Sequence, residues 1–296
     1  MNWQDQLIAL YLFICKQYQE KLKYYSERFT HYADLSFSDE EVLTIYLFGI
    51  LVNHCQTEKD IYNHTSRYLS SWFPKLPAYS AFIRRVNQLH GVFVPLIEHL
   101  QTLIPMELKQ GLKLIDAMPI IMAQQGRRYK AKVAREFTTP NGYCPTKNLY
   151  YYGVKLHVLA SQRKGALPIP EYIALTDAGA SDLHTYELLL NHLQGQSIFA
   201  DKAYQRENKP IFSQGSEVLH TPVKKQKGQT YLEAADQLLS KAVSSIRQPI
   251  ESFFNCLEEK THIQMASKVR SYHGLMVHVF GRIAAAFFIL SNALCS

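Results

Sequence analysis

Two aspartates stand in strand-like apolar segments, where carboxylates are uncommon. Asp116 lies in LKLIDAMPI, and on a strand its side chain would share a face with Leu114 and Met118. A carboxylate there needs a partner, a metal ion or a proton, although a turn or strand-end aspartate fits this segment equally well. Asp201 ends a second apolar run, SIFAD, where it is either a metal ligand or the cap of a following helix.

A glutamate in the last quarter of the chain is the third candidate. Glu251 lies in RQPIESFFNCLEEK, four residues after Arg247 and two after Pro249. On one continuous helix Arg247 and Glu251 share a face, and a surface ion pair is the commonest reason for that spacing. Pro249 instead predicts the first turn of a new helix or a kink, and in a first turn the helix dipole stabilises a carboxylate.

Taken together, the three carboxylates fit phosphodiester chemistry. Transfer of a phosphodiester uses two divalent cations about 4 Å apart, which activate the attacking oxygen and stabilise the leaving oxygen. Mg²⁺ prefers oxygen ligands and keeps several waters, so three carboxylates suffice to hold it. We therefore predict a catalytic metal site at Asp116, Asp201 and Glu251, with two Mg²⁺ ions that Mn²⁺ can replace.

Other residues compete for these roles. Asp177 and Asp182 are alternative sources of the second carboxylate, but Asp201 is preferred because it directly follows a buried strand. Lys155 and His157 lie on the polar face of a strand, where they either approach the scissile phosphate or are solvated. The five cysteines form no C-x-x-C pair and the histidines no H-x3-H spacing, so neither a zinc site nor a disulfide framework is expected.

The elements that must position these residues fall into two regions. Residues 1–110 are predicted to be helical, with a first amphipathic helix at 3–29 and further helices opened by capping motifs at Ser38 and Thr57. Residues 111–296 mix short apolar strands with helices, which is an α/β order. The predicted domains are a helical DNA-binding domain at 1–110 and a catalytic domain at 111–296.

Periodicity locates the elements of the second region. The predicted strands are GLKLIDAMPIIMA, YYYGVKLHVLAS, PIPEYIALT, QSIFAD and SEVLHTPV, and the predicted helices are ASDLHTYELLLNHL, YLEAADQLLSKAVSSI, PIESFFNCLEEK and an apolar C-terminal segment. That last segment, 274–295, is long enough to span a membrane. Arg282 and His278 within it make a buried helix the better interpretation.

The net charge of +7 favours a polyanionic partner, nucleic acid more often than an acidic membrane face. Two helices around the turn at Pro74 and Pro77 resemble a helix-turn-helix that would carry Arg84 and Arg85 on its second helix; an ordinary helical bundle fits equally well. The loops GRRYKAKVAR and KKQK either contact phosphates or are solvated. The candidate DNA contacts are Arg84, Arg85, Arg127, Arg128, Lys130, Lys155, Lys224 and Lys225.

Compartment is indicated by the N-terminal segment and the cysteines. MNWQDQLIALYLFICKQ is acidic and polar where a signal peptide would be basic and then apolar. Unpaired thiols are typical of a reducing compartment. We therefore expect a cytoplasmic protein without a membrane partner.

Several of these motifs together resemble a known family. KLIDAMPI, YYGVKLHV, IFADKAYQ and IRQPIESFFNCLEEKTHIQMASKVRSYHGLMVHVFGR resemble bacterial insertion-sequence transposases of the DDE type, and are most similar to insertion-sequence family 982. LPAYSAFIRRVNQL supports the same resemblance, which covers nearly the whole chain. It implies an α/β fold with an RNase H-like catalytic core, a mixed sheet flanked by helices, and an all-helical N-terminal domain.

The resemblance also implies an activity and partners. Such an enzyme cuts DNA at the ends of the element and joins them to target DNA, and its catalytic triad falls on Asp116, Asp201 and Glu251. DNA carrying the terminal inverted repeats, target DNA and further copies of the chain, as a homodimer or higher oligomer, are the implied partners.

A signature of related transposases, Tyr-x2-Arg-x3-Glu-x6-Lys, surrounds that glutamate. Arg247 and Glu251 match it, which makes Arg247 a further candidate DNA contact, whereas Ser244 and Glu258 stand at the Tyr and Lys positions. Two alternatives remain open from sequence. One is an RNase H-like nuclease or resolvase that cleaves without joining, and the other is a catalytically inactive DNA-binding relative.

Overall fold

The computed structural model describes residues 2–26, 35–109, 111–145, 147–189, 193, 195–205, 218–225, 227–291 and 293. The chain packs as two compact units. The first combines residues 1–104 with 257–296, and the second comprises residues 105–256. Helices build the first unit, and the second contains the sheet.

The N-terminal part of the first unit is helical, as predicted. The capping boxes expected at Ser38 and Thr57 are confirmed, because Glu41 and Asp60 return the hydrogen bonds to the backbone of the capping residues. The first helix stops at Glu20 and a 3₁₀ turn follows it, so the expected helix to residue 29 was too long; residues 27–34 lie outside the described part. The helices are α1 (Trp3–Glu20), α2 (Asp39–Leu51), α3 (Glu58–Tyr68), α4 (Tyr79–Gln88) and α5 (Phe93–Thr102).

Residues 69–78, which contain both prolines of the predicted turn, connect α3 to α4. This connection is longer than the turn of about three or four residues that is usual in a helix-turn-helix. The DNA-binding role of α4 therefore stays a prediction.

The C-terminal segment returns to the first unit as α8 (Tyr272–Met276), a π-helical turn (Val277–Gly281) and α9 (Arg282–Ser291). Among the described residues, this helical segment is the one that is long and apolar enough to cross a membrane. Most of it is, however, buried inside the protein. Tyr46 on α2 donates a hydrogen bond to the carbonyl of Val277 at 3.0 Å. The expectation of a buried C-terminal helix is confirmed.

The second unit is built on a mixed sheet. The described strands are β1 (Lys113–Gln124), β2 (Thr139–Cys144), β3 (Leu149–Arg163), β4 (Ala166–Asp177), β5 (Ser197–Phe199) and β6 (Val218–His220). The long strand β3 pairs antiparallel with β1 along one edge, and with β2 and then β4 along the other. On the far side of β1, β5 and then β6 continue the sheet in parallel. The helices of this part are α6 (Asp182–Leu189) and α7 (Ala234–Thr261).

The two faces of β1 have different surroundings. Ile115 packs in a buried cluster with Leu159 on β3 and Tyr186 on α6. Asp116 pairs with Val158 in the antiparallel register, so both side chains lie on the other face. This alternation separates an apolar face from the face that carries Asp116.

Two predictions about the elements were wrong. The strand β2 was not expected, and the two helices expected around Pro249 are one helix, α7, with Pro249 inside it. Buried residues recur at helical spacing through the proline, and their packing outweighs one lost backbone hydrogen bond. These residues are Val243, Ile250, Phe253, Phe254 and Leu257.

The packing units and the predicted domains divide the chain differently. Residues 257–296 were assigned to the catalytic domain, whereas they pack in the same unit as the N-terminal helices. A packing unit and a functional domain need not coincide. The functional division at residue 110 stays a prediction.

Candidate active site

Asp116 is a largely buried carboxylate near the start of β1, with 19% of its side chain exposed. Its Oδ1 accepts a hydrogen bond from the backbone N–H of Ala117 at 2.8 Å. Burial raises the pKa of Asp116 to about 6, against an ordinary value of 3.8, and the positive charge of Arg247 only partly opposes this. Arg247 is thus the partner that a buried carboxylate at this position requires. Its positive charge does not fully offset the hydration that Asp116 loses on burial.

That partner also joins Asp116 to Glu251. On α7, Arg247 donates from Nη1 to Oδ2 of Asp116 at 2.7 Å and from Nη2 to Oε1 of Glu251 at 2.5 Å. The arginine side chain is 13% exposed, so this is more than a solvated surface pair. One guanidinium therefore connects a carboxylate of the sheet with a carboxylate of the helix.

Asp201 follows β5, the strand next to β1. The parallel register pairs Leu114 with Phe199, and continued for two residues it brings Asp201 beside Asp116 on the same face. Asp201 precedes a short 3₁₀ helix, but its side chain makes no capping hydrogen bond, which argues against the cap interpretation. After burial, the charges of Asp201 and Glu251 further raise the pKa of Asp116, so all three carboxylates lie within electrostatic range.

The sequence interpretation missed Tyr204, which packs in the buried cluster of Ile115 on the other face of β1 but within electrostatic range of Asp116 and Asp201. It is fully buried, and among the described residues its hydroxyl has no hydrogen-bond partner. Burial raises its pKa strongly, and the nearby charges of Asp182, Asp116 and Asp201 raise it further. The signal in the sequence was its place in IFADKAYQ, three residues after Asp201.

The rival carboxylates have local partners. Oδ1 of Asp177 accepts hydrogen bonds from the N–H of Gly179 at 2.8 Å and from the hydroxyl of Thr139 at 3.2 Å. Asp182 pairs with Lys155 at 3.0 Å. Both aspartates are therefore engaged in holding the turn and the helix that follow β4.

The structure does not bring Lys155 and His157 to Asp116. Lys155 pairs with Pro119, three residues beyond Asp116 on β1, and so projects from the opposite face of the sheet. There it also donates to the carbonyl of Ala180 at 2.8 Å. His157 is buried, which lowers its pKa to about 4, so neither the approach to phosphate nor the solvated position expected for it fits.

The two arginines of α4 differ from one another. Arg85 donates from Nε and Nη2 to both oxygens of Asp39, at 2.7 and 2.6 Å, and Asp39 is 1% exposed. This bidentate pair joins α4 to the start of α2. It also occupies the guanidinium N–H groups of Arg85 that a bidentate phosphate contact would need. Arg84 is exposed.

The remaining basic candidates lie in loops of the second unit. Arg127, Arg128 and Lys130 lie in a 3₁₀ turn after β1. Lys224 and Lys225 lie after β6, both exposed, and Lys225 donates to the carbonyl of Thr230 at 2.9 Å. Positive charge thus remains available at both loops.

The donor set of the candidate site suits a hard divalent cation, but its present arrangement is not that of a metal centre. Within the described ranges, no three His, Cys, Asp or Glu side chains form a metal-binding group. Arg247 instead holds Asp116 and Glu251. Asp116 and Glu251 share one guanidinium. The raised pKa of Asp116 means that additional positive charge would be favourable there.

Comparison with protein families bears directly on this arrangement. A family model described as the transposase DDE domain matches residues 108–288, more than half of the chain, and this span includes Asp116, Asp201 and Glu251. The chain belongs to this family. No curated protein and no solved structure gave a significant match. As a DDE transposase the chain is an enzyme whose partner is DNA, and the family generally uses divalent metal ions.

Proposed function

We propose that this transposase cleaves DNA at the ends of an insertion sequence and joins the freed 3′-OH to target DNA, with Asp116, Asp201 and Glu251 as catalytic residues. The observation that carries the proposal is the link through Arg247 between Asp116 on the sheet and Glu251 on the helix, with Asp201 two residues after the neighbouring strand β5. These residues come from separate parts of the chain, and the register of β1 and β5 supports a place for Asp201 on the face of Asp116. Separate structural roles for Asp116, Arg247 and Glu251 would not explain why these three side chains lie together.

The three carboxylates would hold two Mg²⁺ ions, which Mn²⁺ can replace; such ions activate the attacking oxygen and stabilise the leaving oxygen. The residues of the chain supply position and charge. The N–H of Ala117 fixes one oxygen of Asp116, and Arg247 keeps the sheet and helix carboxylates together. Because in-line displacement needs positioning and charge stabilisation, no covalent protein intermediate is required.

The finer classification is also a proposal. A mixed sheet flanked by helices supports an RNase H-like core, and the motifs around Asp116, Asp201 and Glu251 support insertion-sequence family 982. We further propose that the enzyme is cytoplasmic and acts on terminal inverted repeats and target DNA as a homodimer or higher oligomer.

We choose the proposed DNA contacts by the exposure of each basic side chain and by whether it pairs with a carboxylate. Arg84, Arg127, Lys130, Lys224 and Lys225 are exposed and therefore available to phosphates, so we retain them. For Arg85 and Lys155 we propose structural roles, since each is held by a carboxylate. Arg247 is assigned to positioning of Asp116 and Glu251.

The test is cleavage of a supercoiled plasmid carrying the element ends. Asp116→Ala, Asp201→Ala and Glu251→Ala should each abolish Mg²⁺-dependent cleavage while retaining DNA binding. Glu259→Ala is the matched control, because Glu259 lies on the same helix and is 73% exposed. Full cleavage by any triad variant removes that residue from the site. Cleaved ends that never join a target would favour a nuclease.

A further inference from the structure

A row of aromatic rings and one guanidinium in mutual contact lies at the end of the sheet toward which β1 runs. The guanidinium of Arg128 lies 4.4 Å from the ring centroid of Tyr129 and 4.5 Å from that of Tyr150. The ring of Tyr150 in turn lies 4.8 Å from that of Tyr143. We call Tyr129, Arg128, Tyr150 and Tyr143 the stacking row.

The tyrosines of the stacking row are open to solvent. Tyr129 is 65% exposed, Tyr150 53% and Tyr143 42%. Tyr143 pairs with Tyr150 across β2 and β3, and its hydroxyl donates to Oδ1 of Asn148 in the connecting turn at 2.9 Å. The hairpin thus positions Tyr143 and Tyr150, and Arg128 contacts the ring of Tyr129, without these rings being part of a core. Positioned aromatic faces exposed to water are typical of a binding surface.

Arg128 is disposed for stacking more than for a phosphate contact. Its Nη2 donates to the hydroxyl of Tyr129, and its Nε and Nη1 are buried without a hydrogen-bond partner among the described residues. A phosphate contact would need the edge of the guanidinium, but here the two rings lie close to this group. The cation therefore adds charge and a planar surface to the row.

The surroundings of the stacking row select an anionic ligand. The segment 125–136 carries five basic residues and one glutamate, and the flanking Arg127, Lys130, Lys132 and Arg135 are exposed. Exposed aromatic faces set among cations are how proteins hold unpaired nucleobases and their phosphates. Bases in a duplex are already stacked and present only their edges, so a duplex would leave these faces unused.

The stacking row is distinct from the candidate active site. From Asp116 to the end of β1 at Gln124 the strand advances about 26 Å, at roughly 3.3 Å a residue. A base on the row would thus belong to DNA well away from the phosphate at Asp116.

We propose that the stacking row binds unpaired bases of the DNA substrate, with a base stacking on the open face of Tyr129. This rests on the proposed function in that DNA is the substrate, but not on Asp116, Asp201 or Glu251 being catalytic. The ligand class is single-stranded DNA of any sequence, because every base has a face to stack.

The test is equilibrium binding without divalent metal, read by fluorescence anisotropy of a labelled oligo-dT strand and of a duplex of equal length. Tyr129→Leu and Tyr150→Leu should each weaken single-strand binding about fivefold or more and change duplex binding by less than about twofold. Tyr150→Phe, which keeps the ring, should bind the single strand as the wild type does. Tyr231→Leu is the control, since Tyr231 is 78% exposed and lies outside the row.

The outcomes separate the alternatives. If the leucine variants lose equal affinity for the single strand and for the duplex, the tyrosines contact phosphates. If Tyr150→Phe loses affinity for the single strand, recognition is through the hydroxyl. Either result overturns stacking, and so does unchanged binding by both leucine variants. Unchanged thermal unfolding of the variants verifies that the hairpin is intact. The binding assay contains no metal, so it is independent of the cleavage experiment. A negative result for the stacking row does not affect the assignment of the catalytic residues, and a negative cleavage result does not affect the stacking row.

Discussion

At the residue scale, the guanidinium of Arg247 links two carboxylates of unequal burial, Asp116 and Glu251. Asp116 is the more buried of the two, with 19% of its side chain exposed against 52% for Glu251. Removing the cation that pairs with a buried carboxylate strongly destabilises the folded protein, because the remaining charge is left without hydration. An exposed carboxylate that loses its partner is solvated by water instead. Arg247 therefore matters more to Asp116, even though Glu251 is its neighbour on the helix.

Replacing Asp116 by Asn should separate activity from stability. Because burial raises the pKa of Asp116, the ionised form is disfavoured in the folded protein, and a neutral amide removes that penalty. We expect Asp116→Asn to lose cleavage and to raise the free energy of unfolding by about 1 to 3 kcal/mol at pH 7, measured by urea denaturation. A fall of similar size would show instead that the pair with Arg247 stabilises the fold.

His278 should make stability depend on pH. Its Nε2–H donates to the carbonyl of Ile263 at 2.8 Å and its Nδ1 accepts from Nε of Arg282 at 3.2 Å, which together require the neutral ring. Burial, followed by the charge of Arg282, lowers its pKa to about 3 from an ordinary 6.5. Between these values the unfolded chain binds a proton that the folded chain does not, so this contribution to stability is complete above about 6.5 and is lost as the pH falls toward 3.

The measurement compares the wild type with His278→Gln, whose neutral amide can donate and accept in the same place. From pH 6 to pH 4 the wild type should lose up to about 1.4 kcal/mol per pH unit more than the variant in urea denaturation. Parallel stability curves for the two proteins would show that His278 does not carry this dependence.

Some features of the site follow from sequence and others need the fold. The four-residue spacing of Arg247 and Glu251 predicts their contact on a continuous helix, and the contact forms because α7 continues through Pro249, where a break was expected. The pairs Arg85–Asp39 and Lys155–Asp182 join residues distant in sequence, so only the packing of the elements reveals them. The same is true of Tyr204, whose burial beside the aspartates is a property of the assembled core.

At the element scale, α7 is continuous through Pro249. The proline has no N–H to donate to the carbonyl of Ser245, four residues earlier. It also lies between Arg247 and Glu251, so the local path of the helix sets the position of the proposed catalytic glutamate relative to the arginine. The proline thus affects both the stability of α7 and the geometry of the site.

Pro249→Ala should stabilise the helix and impair the chemistry. Alanine restores the missing donor and is the best helix former, so we expect the free energy of unfolding to rise by about 1 to 3 kcal/mol. Cleavage should fall about tenfold or more, because small displacements of a catalytic group are costly. Gln248→Ala, at the neighbouring exposed position, is the control for both measurements. Unchanged cleavage by Pro249→Ala would mean that the helix path at the site does not depend on the proline.

The elements that were predicted correctly have strong local periodicity, and β2 lacks it. TPNGYC contains Pro140, Asn141 and Gly142, which predict a turn. The strand forms because it pairs with β3, and a Cβ on Gly142 would approach the Tyr151 ring to 2.6 Å. Glycine is therefore selected there by close packing that the local sequence does not show.

At the scale of the whole molecule, the net charge of +7 should appear as salt-dependent DNA binding. Lys224 and Lys225 are exposed together in the loop after β6. Each phosphate contact that is lost reduces the slope of log K against log salt by about 1, so Lys224→Ala with Lys225→Ala should reduce it by about 2. The readout is duplex affinity measured over a series of salt concentrations.

A control removes one positive charge elsewhere. Lys164, in the turn between β3 and β4, is exposed and belongs to neither basic loop, so Lys164→Ala should leave the slope close to that of the wild type. If the double variant also keeps the wild-type slope, the loop after β6 does not contact DNA.

Residues of the C-terminal helical segment, Val277 and Arg282, complete the core of the first unit. The hydroxyl of Tyr46 reaches the carbonyl of Val277, and the carbonyl of Gln56 accepts from the buried Arg282 at 2.7 Å. During synthesis these N-terminal helices emerge more than 200 residues before the groups that complete their core. A gene copy that had lost its 3′ end would encode helices with an unfinished core, so decayed copies of the element would produce no stable helical fragment to compete with the intact enzyme for DNA.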